Sequence, residues 1–311
     1  MAIDPQTQKL LDAAKASGLP PVHWLPYPQA RQRMLSAFII KDTPVEVGNV
    51  QDIKIPCSWG DMDARVYTPS GTGPFPIVVF FHGGGWVLNS VETHDSVCRH
   101  MTQLSECIFV SVEYRVSPES KFPGPIDDAY SATQWVYDNA TKLNGIPDKL
   151  AVAGDSSGGN QATVVCLLSR DRNGPPIKLQ VLIYPVTDYF FPGTLSYTEK
   201  ATGFSLGRDQ MMWFWNHYLN ADDDVNNPYI CPLRAESLAN LPQAVILTAE
   251  HDPLRDEGEK YAEHLKEAGV DVDLTRFDGL MHGYIMQWRV LDKGMESLRK
   301  IGSEIKQRLY S

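Results

Sequence analysis

The chain has 311 residues, which is enough to bury a sizeable core as one large domain or two small ones. Its formal net charge of −10 argues against nucleic acid and anionic membrane surfaces as main partners. The five cysteines include no CxxC pair, so they indicate neither a zinc site nor a disulfide framework. Because the N-terminus lacks the apolar stretch of a signal peptide and no apolar run is long enough to cross a bilayer, we expect a cytoplasmic protein.

The order of polar and apolar residues along the chain predicts an α/β fold. Helix-like spacing over 5–17 and 27–40 is followed by strand-like alternation over 45–57 and 62–69. Short apolar runs then lie at 76–81, 107–114, 149–154, 179–185, 244–250 and 272–277. Amphipathic helical stretches separate them, near 91–105, 125–143, 158–171, 255–268 and 288–309. This alternation predicts a central, mostly parallel, eight-stranded sheet with helices on both faces.

The segment GDSSGG at 154–159 lies between a predicted strand and a predicted helix. Gly154, Ser156 and Gly158 have the spacing of a nucleophile elbow, a turn so tight that side chains at both glycines would collide. Such a turn raises the serine hydroxyl above the sheet, beside helix N–H groups that favour a negative oxygen. The alternative is an ordinary helix cap in which Asp155 or Ser156 caps the helix. The strand before and the helix after favour the nucleophile.

A serine nucleophile needs a base, and in this architecture an acid and then a histidine follow the serine along the chain. Two histidines, His264 and His282, lie after a plausible acid. His264 falls in an amphipathic helical stretch, where it is expected on a solvated face. His282 lies in a glycine-rich loop after a predicted strand, so we predict it as the base; a simple turn residue is the alternative.

Three carboxylates, Glu250, Asp252 and Asp256, precede this histidine after another predicted strand. Pro253 ends that strand, so Asp252 takes the first loop position and can accept from the imidazole N–H. Glu250 is expected within the strand, and Asp256 is expected to cap the next helix. We therefore predict Asp252 as the acid.

A second motif, HGGGW at 82–86, follows the strand predicted at 76–81. Three consecutive glycines fit a place where backbone N–H groups approach a ligand closely. Gly83, Gly84 and Gly85, together with the N–H of Ser157, are predicted to stabilise an oxyanion. The alternative is a phosphate-binding loop, but the chain has neither a GxxxxGK[ST] nor a GxGxxG pattern.

Five motifs together resemble the hormone-sensitive-lipase-like, or bacterial type IV, carboxylesterases. They are HGGGW, YRVSPE at 114–119, GDSSGG, DPLRDEG at 252–258 and MHGY at 281–284. The resemblance covers roughly residues 45–305 and implies the α/β-hydrolase fold. It also implies a helical cap made from residues 1–45 and 187–226, over a catalytic domain made from residues 46–186 and 227–311.

For the site, this resemblance implies a triad of Ser156, Asp252 and His282, and a structural role for His82. It implies two-step acyl transfer on short- to medium-chain esters, with a small-molecule ester as partner and no metal or organic cofactor. It leaves a homodimer open. One departure is visible, because the family commonly has alanine where this chain has Ser157.

The substrate pocket is the least determined part of the site. Aromatic and aliphatic side chains are candidates for its wall, although ordinary packing is the alternative for each. The residues predicted to form the pocket are Trp86, Tyr184, Leu206, Trp213 and Ile285. Further aromatic candidates are Tyr189, Phe190, Phe191, Phe204, Phe214 and Trp215. An amidase or carbamate hydrolase would use the same triad. A non-catalytic receptor on this fold would be expected to lose the base.

Overall fold

The computed structural model describes residues 2–39 and 44–311. Among these residues, the strands form one sheet of eight: β1 (Asn49–Cys57), β2 (Gly60–Thr68), β3 (Phe75–Phe81), β4 (Ile108–Val112), β5 (Gly145–Asp155), β6 (Ile177–Ile183), β7 (Gln243–His251) and β8 (Val272–Met281). Their order across the sheet is β1-β2-β4-β3-β5-β6-β7-β8. Strand β2 pairs antiparallel with β1 and β4, and the described pairings from β4 to β8 are parallel. The predicted sheet is confirmed.

The helices of the described residues are α1 (Pro5–Ala16), α2 (Tyr27–Phe38), α3 (Val91–Ser105), α4 (Gly124–Asp138), α5 (Ser157–Asp171), α6 (Leu195–Glu199), α7 (Arg208–Tyr218), α8 (Arg255–Glu267) and α9 (Asp292–Tyr310). The helix predicted over 27–40 ends at Phe38, and residue 40 lies outside the described residues. Within residues 2–39 and 44–311, no helix is both long enough and apolar enough to cross a bilayer.

Strand β3 shows how the sheet divides the core. All of its residues are buried, as expected for a strand covered on both faces. Val79 and Phe81 pack with residues of α4, α5 and α8, whereas Val78 and Phe80 pack with residues of α3 and α9. This alternation follows from the two-residue repeat of a strand. It explains why the central runs of the sequence are continuously apolar.

A third group of buried apolar residues lies outside these two layers. It joins Ala30 of α2, Tyr197 of α6 and Phe214 of α7 to Trp86, which follows β3. The N-terminal helices and the 187–226 segment therefore pack together beside the loop that follows β3. The division into cap and catalytic domain stays a prediction.

Glu257 of α8 is a fully buried carboxyl that fastens this helix to the residues after β6. Its Oε1 accepts hydrogen bonds from the N–H groups of Thr187 and Asp188, at 2.8 and 3.2 Å. In the described part of the chain its Oε2 has no hydrogen-bond partner. Burial raises the pKa of Glu257 well above the ordinary value, against the opposing effect of the two N–H groups. The folded protein therefore keeps this carboxyl protonated at pH values at which a solvated glutamate has lost its proton.

The Glu257→Gln variant is expected to gain stability relative to the wild type as the pH rises. The folded wild type holds a proton that the unfolded chain releases above a pKa of about 4.3. As the pH rises, the free energy of unfolding of the wild type therefore falls by about 1.4 kcal/mol per pH unit until the pH reaches the raised pKa. Glutamine carries no such proton, so the variant does not lose this stability. Urea unfolding from about pH 5 to about pH 8 measures the difference. Glu263→Gln, at an exposed position of α8, is the control, and parallel pH profiles for Glu257→Gln and the wild type would contradict the assignment.

Candidate active site

The turn between β5 and α5 holds Ser156 in an unusual backbone conformation. Its φ of 56° and ψ of −119° lie in a region that side chains rarely adopt. Two backbone hydrogen bonds fix it: its N–H donates to Ile183 O at 2.8 Å, and its carbonyl accepts from Val186 N at 3.1 Å. Neither Asp155 nor Ser156 caps α5 with its side chain, so the helix-cap alternative does not describe this turn.

The glycines on either side of Ser156 are required by close backbone approach. A Cβ on Gly154 would collide with the backbone of Gly158, and a Cβ on Gly158 would collide with the carbonyl of Phe81 at the end of β3. This is the collision that the GxSxG spacing predicts. The turn can therefore form only where both positions lack a side chain.

Ser156, His282 and Asp252 come together at the carboxyl end of the sheet. The Ser156 Oγ lies 3.0 Å from His282 Nε2, and His282 Nδ1 lies 2.7 Å from Asp252 Oδ2. The other oxygen of Asp252 accepts the N–H of Leu254 at 2.9 Å. Asp252 is fully buried, and both Ser156 and His282 are almost buried. The chain of contacts is suited to moving the serine proton onto the imidazole.

The other two candidate carboxylates lie away from His282. Glu250 is in β7, as expected, and its Oε2 accepts the N–H of Gly279 at 2.8 Å. Asp256 pairs with Arg255 at 2.7 Å and accepts the N–H of Ser196 at 2.8 Å. The expectation that Asp256 caps α8 is wrong, because the helix already begins at Arg255 and has no side-chain cap.

The two remaining histidines near this region are also placed elsewhere. His251, beside Asp252 in the chain, stacks on Phe204 with ring centroids 5.0 Å apart and an interplanar angle of 8°. Its ring therefore packs on Phe204, and among the described residues no hydrogen bond joins it to Ser156. His264 lies half-buried on α8.

The loop after β3 places two glycines at the cavity that opens above Ser156 and His282. Gly84 and Gly85 line this cavity together with Ser156, and both have positive φ, at 127° and 60°. In the described part of the chain, neither glycine N–H donates to a protein acceptor. Ser157 is the first residue of α5, where N–H groups have no acceptor within the helix. These three N–H groups suit an oxyanion.

Gly83 does not belong with them. Its N–H donates to Asp155 Oδ1 at 2.8 Å, so the prediction that includes Gly83 in the oxyanion hole is wrong. The same carboxylate lies 3.1 Å from Nε2 of the buried His94. Burial favours a higher pKa for Asp155, but His94 and the Gly83 N–H hold that pKa below the ordinary value. Asp155 thus anchors the glycine loop to the elbow as a carboxylate, a role that the sequence analysis missed.

His82 packs beneath the loop. Its Nδ1 lies 2.9 Å from Gly83 O, and its ring stacks on Tyr114 with centroids 4.3 Å apart. Burial lowers the pKa of His82 to about 3, so the imidazole is neutral at physiological pH. A buried, neutral, stacked ring fits the structural role that the resemblance implies.

The hydroxyl of Ser157 links the elbow to the glycine loop. Its Oγ accepts the N–H of Trp86 at 3.1 Å, and both residues are fully buried. Trp86 has a positive φ of 59°, and its carbonyl accepts the N–H of Ser117 at 2.7 Å. Its ring stacks on Tyr218 of α7 at 4.1 Å. The hydroxyl that departs from the usual alanine therefore holds the peptide next to Gly85.

We expect Ser157→Ala to lower kcat about tenfold with little change in KM, because a buried N–H that loses its acceptor costs about 1–3 kcal/mol. The backbone N–H of residue 157 is kept, so the loss comes from the displaced glycine loop. Steady-state kinetics on one ester measures the split between kcat and KM. Ser169→Ala removes another buried hydroxyl of α5 and is the control. An unchanged kcat would show that the loop holds its position without the hydroxyl.

A cavity of about 450 Å³ opens above Ser156 and His282. Among the residues predicted for the pocket, Leu206, Phe204 and Phe214 line it. The remaining wall is mainly apolar and comes largely from helices that the pocket prediction did not include: Leu10, Leu11 and Ala14 of α1, and Met34, Ala37 and Phe38 of α2. The amphipathic spacing of these helices is the signal that the sequence offered for this wall.

Four predicted pocket residues, Trp86, Tyr184, Trp213 and Ile285, do not line this cavity, so the prediction is wrong for them. The reason is packing: Trp86 and Ile285 are fully buried in apolar clusters, and Trp213 packs on His217 with ring centroids 4.3 Å apart. Tyr184 packs against the ring of His282 at 4.6 Å from within the core. The other aromatic candidates that do not line the cavity are Tyr189, Phe190, Phe191 and Trp215.

Comparison with known proteins identifies the family. A family model described as alpha/beta hydrolase fold, Abhydrolase_3, matches residues 78–286. The chain belongs to this family. It is 43% identical over 243 residues to the carboxylic ester hydrolase LipN of Mycobacterium tuberculosis, an alignment that covers 76% of this chain and 64% of LipN. It is 34% identical to an arylesterase of Saccharolobus solfataricus, over 92% of this chain and 93% of that protein.

A solved structure extends the similarity to nearly the whole chain. The hyperthermophilic esterase of Pyrobaculum calidifontis is 40% identical and superposes with a TM-score of 0.94, over 99% of both chains. These findings confirm the resemblance to the hormone-sensitive-lipase-like hydrolases. They place this α/β hydrolase among the carboxylesterases.

Proposed function

We propose that this α/β hydrolase is a serine carboxylesterase that cleaves short- to medium-chain acyl esters through an acyl-enzyme intermediate. One observation carries the proposal. The Ser156 hydroxyl lies 3.0 Å from His282 Nε2, and the far nitrogen of that ring lies 2.7 Å from Asp252. A nucleophile, a base and an orienting acid in this order are the arrangement of a serine hydrolase.

In the first step His282 Nε2 takes the proton of Ser156 as Oγ attacks the ester carbonyl carbon. The imidazolium then gives this proton to the departing alcohol, which leaves an acyl group on Ser156. In the second step the same imidazole activates water, and the acid is released. Asp252 holds the ring in the tautomer with the proton on Nδ1 and stabilises the imidazolium, but does not take the proton itself.

The developing oxyanion is assigned to the N–H groups of Gly84, Gly85 and Ser157. The first two line the cavity beside Ser156, and the third lies at the N-terminus of α5, where the helix dipole also favours negative charge. A preorganised donor of this kind contributes about 3–4 kcal/mol to the stability of the transition state.

The preference for short and medium chains rests on the cavity. Its volume of about 450 Å³ lies at the lower end of the range of roughly 300–1,000 Å³ for small-molecule sites. Its walls are apolar where Leu10, Met34, Leu206 and Phe214 contribute. A bounded, apolar cavity of this size supports the preference for short and medium acyl chains that the family resemblance implies. A homodimer and a cytoplasmic location stay predictions of the sequence.

Matched substrates test the proposal. We expect kcat/KM to be highest for p-nitrophenyl esters between acetate and octanoate, and to fall towards palmitate. Amides and carbamates with the same acyl group separate the proposed esterase from an amidase or carbamate hydrolase. A fluorophosphonate should label one site per chain, at Ser156. Failure to label, with no turnover of any ester, would favour a non-catalytic receptor.

A further inference from the structure

A second cavity, the outer cavity, lies beside the catalytic cavity and has a volume of about 560 Å³. It is formed by the segment from Ser17 to Trp24, between α1 and α2, and by the segment from Ala201 to Gln210. The side chains of Val22, Arg33 and Phe204 belong to the walls of both cavities. The two cavities are therefore neighbours, which is the position that a subsite for the far end of a substrate would occupy.

Large apolar side chains contribute to the lining of the outer cavity. Trp24 is 71% exposed and Leu19 is 62% exposed, and both line this cavity with Pro20 and Pro21. A concave site with a largely apolar lining is typical of small-molecule binding. Phe204 belongs to both linings, and its ring is already stacked on His251. An aromatic group is the ligand that such a wall accommodates best.

Arg33 adds a charge at the junction of the two cavities. Its Nη1 donates to Pro20 O at 2.6 Å, and within the described residues it forms no ion pair. The remaining guanidinium donors are therefore available to a planar anionic group such as a carboxylate. Asp209 lines the outer cavity but not the inner one. Burial lowers the pKa of His23, against the opposing effect of Asp209, so His23 adds no cation here at neutral pH.

A hydrogen bond connects the wall of the outer cavity to His282. Ser205, which lines both cavities, donates from its Oγ to the carbonyl of His282 at 2.7 Å. This hydrogen bond connects the segment around Ser205 to the residue that is predicted as the base. Binding of one end of the substrate in the outer cavity would keep the ester carbonyl within reach of the Ser156 Oγ.

We propose that the outer cavity is a subsite for the distal end of the ester, and that it takes an aromatic ring that carries a carboxylate. The ring packs on Trp24, and the carboxylate accepts hydrogen bonds from Arg33. This inference rests on the proposed esterase function and adds a substrate class to it.

Three matched esters test the subsite: butyl acetate, 4-phenylbutyl acetate and 4-(4-carboxyphenyl)butyl acetate. A second series carries the same groups on the acyl side, as ethyl esters, so that either orientation of the substrate is covered. We expect Trp24→Ala to lower the preference for phenyl over the parent ester about fivefold, and Trp24→Phe to restore it. We expect Arg33→Leu to lower the preference for the carboxylated ring over the plain ring about tenfold.

Ratios of kcat/KM within one variant are the readout, so a general loss of activity does not imitate the result. Leu195→Ala removes an apolar side chain of the 187–226 segment that is about as exposed as Trp24 but lies outside both cavities, and it should leave every ratio unchanged. If the wild type hydrolyses all esters and neither ratio changes in the variants, the subsite is refuted while the esterase stands. If the wild type hydrolyses none of them, the proposed function itself fails.

Discussion

Ser156→Ala is expected to lower kcat by roughly 10⁴- to 10⁶-fold, which for most assays is complete loss of ester turnover. The reason is that no other hydroxyl can replace the Oγ that lies 3.0 Å from His282 Nε2. The residual rate comes from substrate binding and from the N–H groups of the glycine loop, which the substitution leaves in place. A chromogenic short-chain ester under substrate saturation measures the loss.

Stability should be nearly unaffected by this change. The backbone hydrogen bonds that fix Ser156 to Ile183 and Val186 do not use the side chain. The thermal midpoint of Ser156→Ala should therefore stay within a few degrees of the wild type. Ser169→Ala, in the helix that follows Ser156, should keep full activity. If a folded Ser156→Ala protein hydrolysed the ester at the wild-type rate, Ser156 would not be the nucleophile.

Asp252→Asn is expected to lower kcat about 10⁴-fold, through the wrong histidine tautomer. The N–H of Leu254 donates to Asp252 Oδ1 at 2.9 Å, so an asparagine at this position would turn its oxygen towards Leu254. Its amide N–H₂ would then face His282 Nδ1. That nitrogen would have to accept, which moves the ring proton to Nε2, where it can no longer take the proton of Ser156.

The measurement is kcat for Asp252→Asn beside Asp256→Asn, which removes the charge of a nearby carboxylate that pairs with Arg255 instead. The second variant should keep most of the activity. Equal losses in both variants would mean that general negative charge, and not the contact with His282, supports the reaction. A reaction of Asp252→Asn at the wild-type rate would remove Asp252 from the mechanism.

Most of the fold could be predicted because its signals are local. The continuous apolar runs after Pro76 reflect strands buried on both faces, and each predicted run overlaps a strand of the sheet. The Ser156 elbow was also predictable. Its turn tolerates only glycine two residues before and two residues after the serine, so five consecutive residues are enough to identify it.

The contact between Ser156 and His282 was predictable for a different reason. The two residues are 126 positions apart, yet the carboxyl ends of parallel strands meet at one edge of the sheet. Once the parallel strands are identified, the loops that follow their carboxyl ends are expected along the same edge of the sheet. Asp252 follows by the same argument, because it is the first residue after β7.

Side-chain direction was not predictable in the same way. Gly83 and Gly84 are adjacent and identical in type, but the N–H of Gly83 is taken by Asp155. Trp86 was a reasonable pocket residue by composition, yet it stacks on Tyr218 of the insertion, away from the cavity. Which neighbour takes a polar group or a ring depends on elements far away in the chain.

The amino-acid order alone thus established the strand pattern, the glycine-bounded serine turn and the order of nucleophile, acid and base. These features depend on backbone sterics and on two-residue and helical repeats, which act over short stretches. The shape of the cavity, the acceptor role of the Ser157 hydroxyl and the free donors of Arg33 became visible only in the folded chain. These features arise where α1, α2 and residues 187–226 pack over the sheet. Contacts between segments that are far apart in the chain produce no periodic pattern in the sequence, so the sequence does not predict them.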